Sequence, residues 1–368
     1  MTSVRLISML RAVGAASLLV VAGALPTAAQ DYEAQVQALM ADPSVQMAMD
    51  HIEATDEQTM ADLRMLTQIP APPFMEEERG RAFLARLQEI GVDSAWVDEV
   101  GNVIGQRRGT GGGEVLAIAG HLDTVFPEGT DVAITQRGDT LFAPGIADDT
   151  RGLATILAVL RAMNEAGVRT AGDILFIGNV GEEGVGDLRG MKHLFREGGP
   201  RIDAFISVDG TGHHGITHMG LGSHRYRVTF HGPGGHSWGA FGLANPHHAL
   251  GRAIRYFQDG ADPYVRHAPF RTSYNVGRIG GGTSVNSVPF ESWMEIDMHS
   301  EGDTTLEAVD AILQGAVQRA LAEENQLRQR GEPLTVEVAM IGDRPSGVTP
   351  EDHPFVQQAV AVTEALGG

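Results

Sequence analysis

Histidine and acidic side chains follow several apolar segments of this sequence, in positions where they could bind a metal ion. The apolar segments are "EVLAIAG" (114–120), "DILFIGNV" (173–180) and "IDAFISV" (202–208), and "FAPGIADD" adds an acidic pair just before a helix. The side chains concerned are His121, Asp123, Asp148, Asp149, Glu182, Glu183 and Asp209. Because ligands of open α/β sheets bind beyond the carboxyl ends of the strands, we expect these side chains to meet at one edge of one sheet.

Each of these residues also has an ordinary structural explanation when it is taken alone. A single histidine is commonly a hydrogen-bonded structural residue, acids after strands commonly cap helices, and paired glutamates are usually solvated. Taken together, clustered carboxylates raise one another's pKa and cost stability unless a cation lies among them. The chain contains no cysteine, so a metal here is held by imidazole and carboxylate groups. Such ligands suit zinc, with cobalt or manganese as substitutes.

The apolar segments themselves predict the fold that positions the cluster. They are too continuously apolar for strands that have one face exposed to solvent. An amphipathic helix is predicted at 151–167, between the first two segments. Buried strands that alternate with helices are typical of a mostly parallel sheet flanked by helices, which is an α/β fold. Ahead of this sheet, the acidic segment 31–66 and the segment 76–91 both predict helix.

A second pattern begins near residue 224 and has the order β-α-β-β-α-β of a ferredoxin-like unit. The predicted strands are 224–230, 273–279, 292–298 and 334–341, and the predicted helices are 245–258 and 303–326. We therefore divide the chain into a signal peptide (1–29), a first catalytic part (30–223), an inserted α+β domain (224–341) and a resumed catalytic part (342–368).

Six stretches resemble one known family in their order and spacing. They are "GHLDTVFPEGT", "GIADDTRGLA", "GNVGEEGVGDLRG", "SVDG", "HGPGGHSWG" and "GGTSVNSVPF". The family is that of the co-catalytic zinc amidohydrolases, which include aminoacylase, acetylornithine deacetylase, peptidase T and glutamate carboxypeptidase. The resemblance spans most of the chain after the signal peptide. It implies a zinc-exopeptidase-like catalytic domain, with the inserted domain as a lid and dimerisation domain.

The resemblance also implies roles for the acidic cluster around two zinc ions. The implied metal ligands are His121, Asp148, Glu183 and Asp209, with Asp148 rather than Asp149 bridging the ions. Asp123 is implied to orient His121 from behind, as carboxylate partners of metal-bound histidines do. Glu182 is implied to be the general base, which takes a proton from the attacking water and passes it to the leaving amine.

In the inserted domain, the resemblance implies residues that contact substrate. His236 of "GGHS" is implied to donate to the oxyanion, often in the active site of a partner subunit, and Asn286 to contact substrate, although a turn-forming role for Asn286 stays open. The family commonly has an arginine for the substrate carboxylate where this chain has His299, and we expect Arg344 to substitute for it. A homodimer through residues 224–341 is the implied assembly.

The stretch from Gly235 to Gly239 also fits the pattern G-x-S-x-G, which describes a serine nucleophile on a strand-to-helix turn. The segment after Ser237 is interrupted by glycine and proline, so the required helix does not follow directly. We keep a serine hydrolase that uses Ser237 as a third interpretation.

The two ends of the sequence carry further expectations. Residues 1–29 combine two arginines, a short apolar run and small residues near Ala29, which is typical of a secretory signal peptide and too short for a membrane span. Its removal takes Arg5 and Arg11 and changes the formal charge from −20 to −22, which excludes nucleic-acid binding through the global field. At the other end the family has a late histidine ligand, whereas the last histidine here is His353 before a predicted helix. We therefore expect a truncated or incomplete sequence that lacks its fifth protein ligand.

The sequence thus predicts a secreted or periplasmic, zinc-dependent metallopeptidase that hydrolyses small peptides or N-acyl amino acids. Export favours peptides over biosynthetic acyl amides. The alternative is a non-catalytic binding paralogue that lacks a ligand, but Glu182 argues against it because binding alone needs no base.

Overall fold

The structure is a computed structural model that describes residues 31–210 and 215–367. The predicted signal peptide at 1–29 lies outside the described residues. The helices of the first domain are α1 (Tyr32–Met40), α2 (Pro43–Ala54), α3 (Asp56–Thr67), α4 (Glu77–Ile90), α5 (Arg151–Glu165) and α6 (Arg189–Leu194). Its strands are β1 (Ser94–Val97), β2 (Val103–Arg107), β3 (Leu116–His121), β4 (Thr135–Arg137), β5 (Thr140–Phe142), β6 (Ile174–Asn179) and β7 (Ala204–Ser207).

A mixed sheet forms the centre of this domain, and its strand order is β1-β2-β6-β3-β7. Strand β3 pairs in parallel with both β6 and β7, whereas β1 and β2 join the sheet in antiparallel orientation. The predicted α/β fold with a central sheet flanked by helices is confirmed. The two antiparallel strands were not predicted, because they are short and half polar.

Both faces of the sheet are covered by apolar side chains. On one face, α5 contributes Leu153, Ile156 and Leu157, which pack with Phe83 of α4 and Phe176 of β6. All five side chains are fully buried, and each buried side chain of this size contributes about 1.5–3 kcal/mol. On the other face, a smaller cluster packs against α6. Burial on both faces explains why the strand segments are continuously apolar.

The predicted helical segment 31–66 forms three helices instead of one. Asp42 caps α2 by accepting a hydrogen bond from the backbone nitrogen of Ser44 at 2.8 Å, and Pro43 follows as the first helical residue. Thr55 separates α2 from α3. Proline lacks the amide that a continuous helix needs, so the break at Pro43 follows from its chemistry.

A buried ion-pair cluster joins α3 to the other helices of the first domain. Asp62 of α3 is 2% exposed and lies 2.8 Å from the guanidinium of Arg86 in α4 and 2.6 Å from that of Arg161 in α5. A buried carboxylate of this kind holds its partners in place, because removing it takes the counter-charge from Arg161 and leaves Arg86 with Glu89 alone.

The inserted domain is a four-stranded antiparallel sheet with two helices on one face. Its main elements are β9 (Gly222–His231), α7 (Pro246–Val265), β11 (Thr272–Gly281), β13 (Glu291–Ser300), α8 (Asp303–Leu327) and β14 (Thr335–Arg344), with the strand order β11-β13-β9-β14. Short strands lie within or beside this domain: β8 (Met219–Gly220), β10 (Gly235–His236), β12 (Ser287–Val288) and β15 (Gly347–Val348). Helix α9 (Pro354–Ala365) follows the domain. This is the β-α-β-β-α-β order that the sequence predicts.

The strands that bound the inserted domain run from Gly222 to Arg344, slightly beyond the predicted limits of 224 and 341. The difference matters because it places Arg344 on the inserted sheet. After it, α9 returns to pack against α1. Throughout residues 31–210 and 215–367, no helix combines the length and the apolar character that crossing a membrane requires.

Candidate metal centre

His121 is the last residue of β3, which lies between β6 and β7 in the sheet, and its side chain is only 3% exposed. Its Nδ1 lies 2.9 Å from the backbone oxygen of Asp123. A carbonyl oxygen can only accept, so Nδ1 carries the proton and donates. Nε2 is therefore the nitrogen available to a metal, which would replace its proton and give the form of the ring that a metal-binding histidine needs. Nε2 faces the Asp148 carboxylate at 2.8 Å.

Asp123 is fully buried behind the centre and holds the loop after β6. Its Oδ1 accepts from the backbone nitrogen of Glu182 at 3.0 Å, and its Oδ2 accepts from that of Glu183 at 2.8 Å. Its carboxylate is 3.7 Å from Nδ1 of His121. Burial alone would raise the pKa of Asp123, but the contact with His121 and the two backbone hydrogen bonds hold that pKa below its usual range. Asp123 therefore orients two successive acids, and its backbone oxygen orients the histidine.

Asp148 and Asp149 are neighbours, joined by a cis peptide bond, with opposite surroundings. Asp148 is exposed and faces His121. Asp149 is fully buried, where it accepts from the backbone nitrogens of His121 at 2.9 Å and Gly152 at 3.0 Å. Burial raises the pKa of Asp149 to about 8. A Cβ on Gly152 would lie 2.2 Å from Oδ1 of Asp149, so this close approach requires glycine at the start of α5.

Glu182 and Glu183 follow β6 and complete the acidic cluster. Burial and the charges of Glu182 and Asp148 raise the pKa of Glu183 to about 7, and burial is the largest cause of a raised pKa at Glu182. Although burial opposes it, the Asp123 contact together with the charges of Asp149 and Glu182 raises the pKa of His121 to about 10. The cluster is thus an arrangement in which acids repel one another and attract a cation.

One potential ligand atom each from His121, Asp148 and Glu183 lies within 4.8 Å of the other two. Ligand atoms about 2.0–2.2 Å from one zinc ion are at most ~4 Å apart, so these three donors would need only a small shift to reach zinc-binding distance. Asp209, which follows β7, has its Oδ1 4.0 Å from Nε2 of His121. The donor set of one imidazole and several carboxylates therefore fits a divalent metal.

His236 and Asn286 lie together in the inserted domain. The short strand β10 pairs with β12 so that His236 is opposite Ser287, and the Asn286 backbone oxygen accepts from the backbone nitrogen of Ser237 at 2.8 Å. Both side chains are exposed. Within the described residues, no hydrogen bond or ion pair connects either of them to the acidic cluster. Their predicted roles toward substrate stay predictions.

Arg344 lies against the acidic cluster, and its side chain is mostly buried. Its Nη2 donates to the backbone oxygen of Glu182 at 2.6 Å, and its Nη1 lies 3.7 Å from the Glu182 carboxylate. His299, at the position where the resemblance suggests an arginine, contacts Asp297 through Nε2 at 2.6 Å. His353 caps α9, with Nδ1 accepting from the backbone nitrogen of Phe355 at 3.2 Å.

The surroundings of Ser237 lack the geometry of a serine nucleophile. Strand β10 has two residues, and a series of turns separates it from α7, which begins at Pro246. A nucleophile elbow requires a strand that leads directly into a helix.

Sequence reasoning missed two residues that build the centre. The resemblance assigns the metal to Asp148 and gives Asp149 no role, although an acid just before a helix is a typical cap of the first helical turn. Arg79 matches no motif in the sequence. It is completely buried and donates through Nη1 to the backbone oxygen of Leu122 at 2.8 Å, between the two site residues His121 and Asp123. An arginine in an amphipathic helix gives no sequence signal for such a contact.

Comparisons with known proteins agree with this fold. The sequence pattern described as Peptidase family M20/M25/M40 matches residues 117–368. A Pyrococcus abyssi protein named as a hydrolase of LysW-lysine or LysW-ornithine is 32% identical over 166 residues, which is 45% of this chain and 44% of that protein. Carboxypeptidase G2 of a Pseudomonas species is 36% identical over 112 residues, or 30% of this chain and 26% of that protein. The chain thus spans less than half the length of these curated relatives in the matched regions.

Among solved structures, aminopeptidase PepT of Bacillus cereus superposes with a TM-score of 0.65 at 24% identity, over 84% of this chain and 82% of that one. This similarity supports the fold. The sequence match to the family covers more than half of the chain and agrees with the resemblance found in the sequence.

Proposed function

Because the chain belongs to peptidase family M20/M25/M40, we propose that it is a metal-dependent hydrolase that cleaves the amide bond of small peptides or N-acyl amino acids. The observation that carries the proposal is the convergence of His121, Asp148 and Glu183 at one sheet edge, with Glu182 beside them. The members named in the comparisons include hydrolases and a carboxypeptidase, which supports amide hydrolysis as the reaction class.

In this proposal, His121, Asp148, Glu183 and Asp209 would hold two divalent ions, and Asp148 would serve both of them. Zinc is the proposed metal, and cobalt or manganese would suit the same donors. When bound, a divalent metal lowers the pKa of water and stabilises negative charge on the amide oxygen.

The side chains around the metals carry out the proton transfers and the positioning. The Glu182 carboxylate takes a proton from the attacking water and passes it to the nitrogen of the leaving amine. Asp123 keeps Glu182 in place through the backbone hydrogen bond at 3.0 Å. His236 of the inserted domain donates to the oxygen of the reacting carbonyl, and Asn286 contacts the substrate beside it.

We further propose that two copies of the chain associate through the inserted domain, so that His236 acts in the site of the partner subunit. The exposed apolar side chains of Trp238 and Phe241 beside His236 support an association at this surface. Export to the periplasm or medium through residues 1–29 remains a prediction from the sequence.

The experiment that tests the function combines metal analysis with an amide-hydrolysis screen. The purified protein is loaded with zinc, its metal content is measured by elemental mass spectrometry, and release of free amines is followed from dipeptides and N-acetyl amino acids. We expect Glu182→Gln to retain the metal and to lose about 10²–10⁴-fold in kcat. Ser237→Ala is the matched control and should keep both activity and metal.

Three results would contradict the proposal in different ways. An active Glu182→Gln variant would remove the general base from the mechanism. An inactive Ser237→Ala variant with normal metal content would favour the serine hydrolase. Metal binding by the wild type without hydrolysis of any substrate would favour a non-catalytic binding protein.

A further inference from the structure

Two arginines of the inserted domain reach into the loop that carries Glu182 and Glu183. Arg225 of β9 donates through Nη1 to the backbone oxygen of Gly184 at 2.6 Å. Arg344 of β14 donates through Nη2 to the backbone oxygen of Glu182 at 2.6 Å. Strands β9 and β14 are adjacent in the sheet, so both guanidinium groups project from one side-by-side pair of strands onto one loop.

The far end of the same loop is also held by β14. The carboxylate of Asp187 accepts from the backbone nitrogen of Asp343 at 3.1 Å, lies 3.6 Å from Nε of Arg344 and contacts Nζ of Lys192 at 2.6 Å. Asp187 and Leu188 have φ angles of 50° and 56°. Residues other than glycine rarely adopt this left-handed conformation, so contacts from outside the loop must maintain it.

These contacts connect two parts of the chain with different proposed tasks. Glu182 and Glu183 belong to the metal centre, whereas Arg225 and Arg344 belong to the domain that carries His236. The Arg344 side chain is 15% exposed and that of Arg225 is 22% exposed. Hydrogen bonds from a charged donor in such partly buried places are stronger than those between neutral groups.

We propose that Arg344, supported by Arg225, is a positioning residue that fixes the backbone of Glu182 and so aims its carboxylate at the reacting atoms. This inference rests on the proposed role of Glu182 as general base. It gives Arg344 a different role from the binding of a substrate carboxylate that we expected from the sequence. It also makes the placement of the inserted domain a determinant of the geometry of the base, because both arginines move with that domain.

The kinetic test compares Arg344→Met and Arg344→Lys in the zinc-loaded protein, with Arg278→Met as the matched control. Arg278 lies on the same inserted sheet, but its side chain is 71% exposed and pairs with Glu295. Misplacement of a reacting group by about 1 Å can cost ~100-fold, so we expect Arg344→Met to lower kcat by about 10–100-fold, with KM within about threefold of the wild type. Arg344→Lys restores part of kcat, and Arg278→Met has no effect.

The choice of substrate separates positioning from substrate binding. Each variant is measured on a dipeptide and on the same dipeptide with an amidated carboxyl end. A positioning role predicts the same fractional loss of kcat on both substrates. A rise in KM that occurs only with the free carboxylate would overturn the proposal and restore Arg344 as a substrate-binding residue.

A second readout does not depend on activity. In metal-free protein, hydrogen–deuterium exchange is measured for peptides that cover residues 181–188, where the amides of Glu182 and Glu183 are bonded to Asp123. We expect Arg344→Met to speed exchange there by about tenfold or more, since it frees a locally strained loop, and Arg278→Met to leave it unchanged. Unchanged exchange in Arg344→Met would overturn the inference.

The two readouts keep this inference distinct from the proposed function. If the wild type hydrolyses no amide, the proposed function fails, and the exchange measurement still decides whether Arg344 holds the loop. If hydrolysis is observed but exchange and kcat are unaffected in Arg344→Met, the proposed function stands and the positioning role is refuted.

Discussion

The Asp123 carboxylate allows a sharp prediction, because its two oxygens accept from two different buried amides. In Asp123→Asn, the NH2 of the side-chain amide replaces one carboxylate oxygen. This NH2 then faces a backbone N–H, either that of Glu182 or that of Glu183. The substitution therefore removes one charge-assisted hydrogen bond, worth about 1.5–3 kcal/mol, and leaves a buried donor unpaired, which costs about 1–3 kcal/mol. Allowing for relaxation of the loop, we expect the metal-free protein to lose about 2–4 kcal/mol in its free energy of unfolding.

The assay is urea denaturation of chelator-treated protein, followed by far-ultraviolet circular dichroism. Asp148→Asn serves as the contrasting variant, because the Asp148 side chain is 60% exposed and bonds to no backbone amide in the described residues. We expect it to change metal-free stability by less than about 1 kcal/mol, as exposed sites usually do, while weakening zinc binding measured by calorimetry. The reasoning would be refuted if Asp123→Asn were as stable as the wild type, or if Asp148→Asn were the less stable of the two.

Three further predictions concern stability. Asp62→Ala leaves Arg161 without its acidic partner and Arg86 with Glu89 alone, and it should cost about 3–5 kcal/mol in urea denaturation. Glu77→Ala, in an exposed pair, should have no measurable effect. Gly152→Ala should lower the free energy of unfolding by about 1–3 kcal/mol or more and abolish zinc binding, because its new Cβ meets the Val208 backbone oxygen as well as the Asp149 carboxylate. Gly251→Ala, with open space around it, should leave the stability unchanged or raise it. Burial and a hydrogen bond to Asp262 of α7 raise the pKa of Tyr274 to about 12. The stability that the phenol proton contributes is therefore present below pH ~10 and is lost as the pH rises to 12. An ultraviolet titration in which Tyr274→Phe removes no late-titrating phenol would contradict this.

The sequence predicted the parts of the fold that rest on repeating local signals. The apolar runs at 114–120, 173–180 and 202–208 correspond to β3, β6 and β7, and the helix predicted at 151–167 is α5, Arg151–Glu165. These signals are strong because burial on both faces demands continuous apolar residues. The antiparallel strands β1 and β2 have no comparable signal, since they are short and carry polar residues, and β1 lies at the edge of the sheet.

The same distinction applies to the site. The residues after each strand could be predicted because strand ends determine where they lie, and the structure brings His121, Asp148 and Glu183 together. Contacts between distant segments could not be predicted. Arg344 reaches Glu182 only because β14 extends to the edge of the first domain. No sequence pattern in either segment indicates that the two segments are in contact.

The buried guanidinium of Arg79 has a consequence for how a metal enters and leaves. It donates to the backbone oxygens of Ile69 and Leu122, and its pKa of about 10 keeps it charged at neutral pH. A fixed positive charge behind the acidic cluster offsets part of the repulsion among its carboxylates before any metal arrives. We therefore expect the acidic cluster to stay assembled during metal exchange, so that a metal would meet a preorganised surface. The rate of metal uptake should then be limited by the diffusion and dehydration of the ion, with no slow folding step before binding.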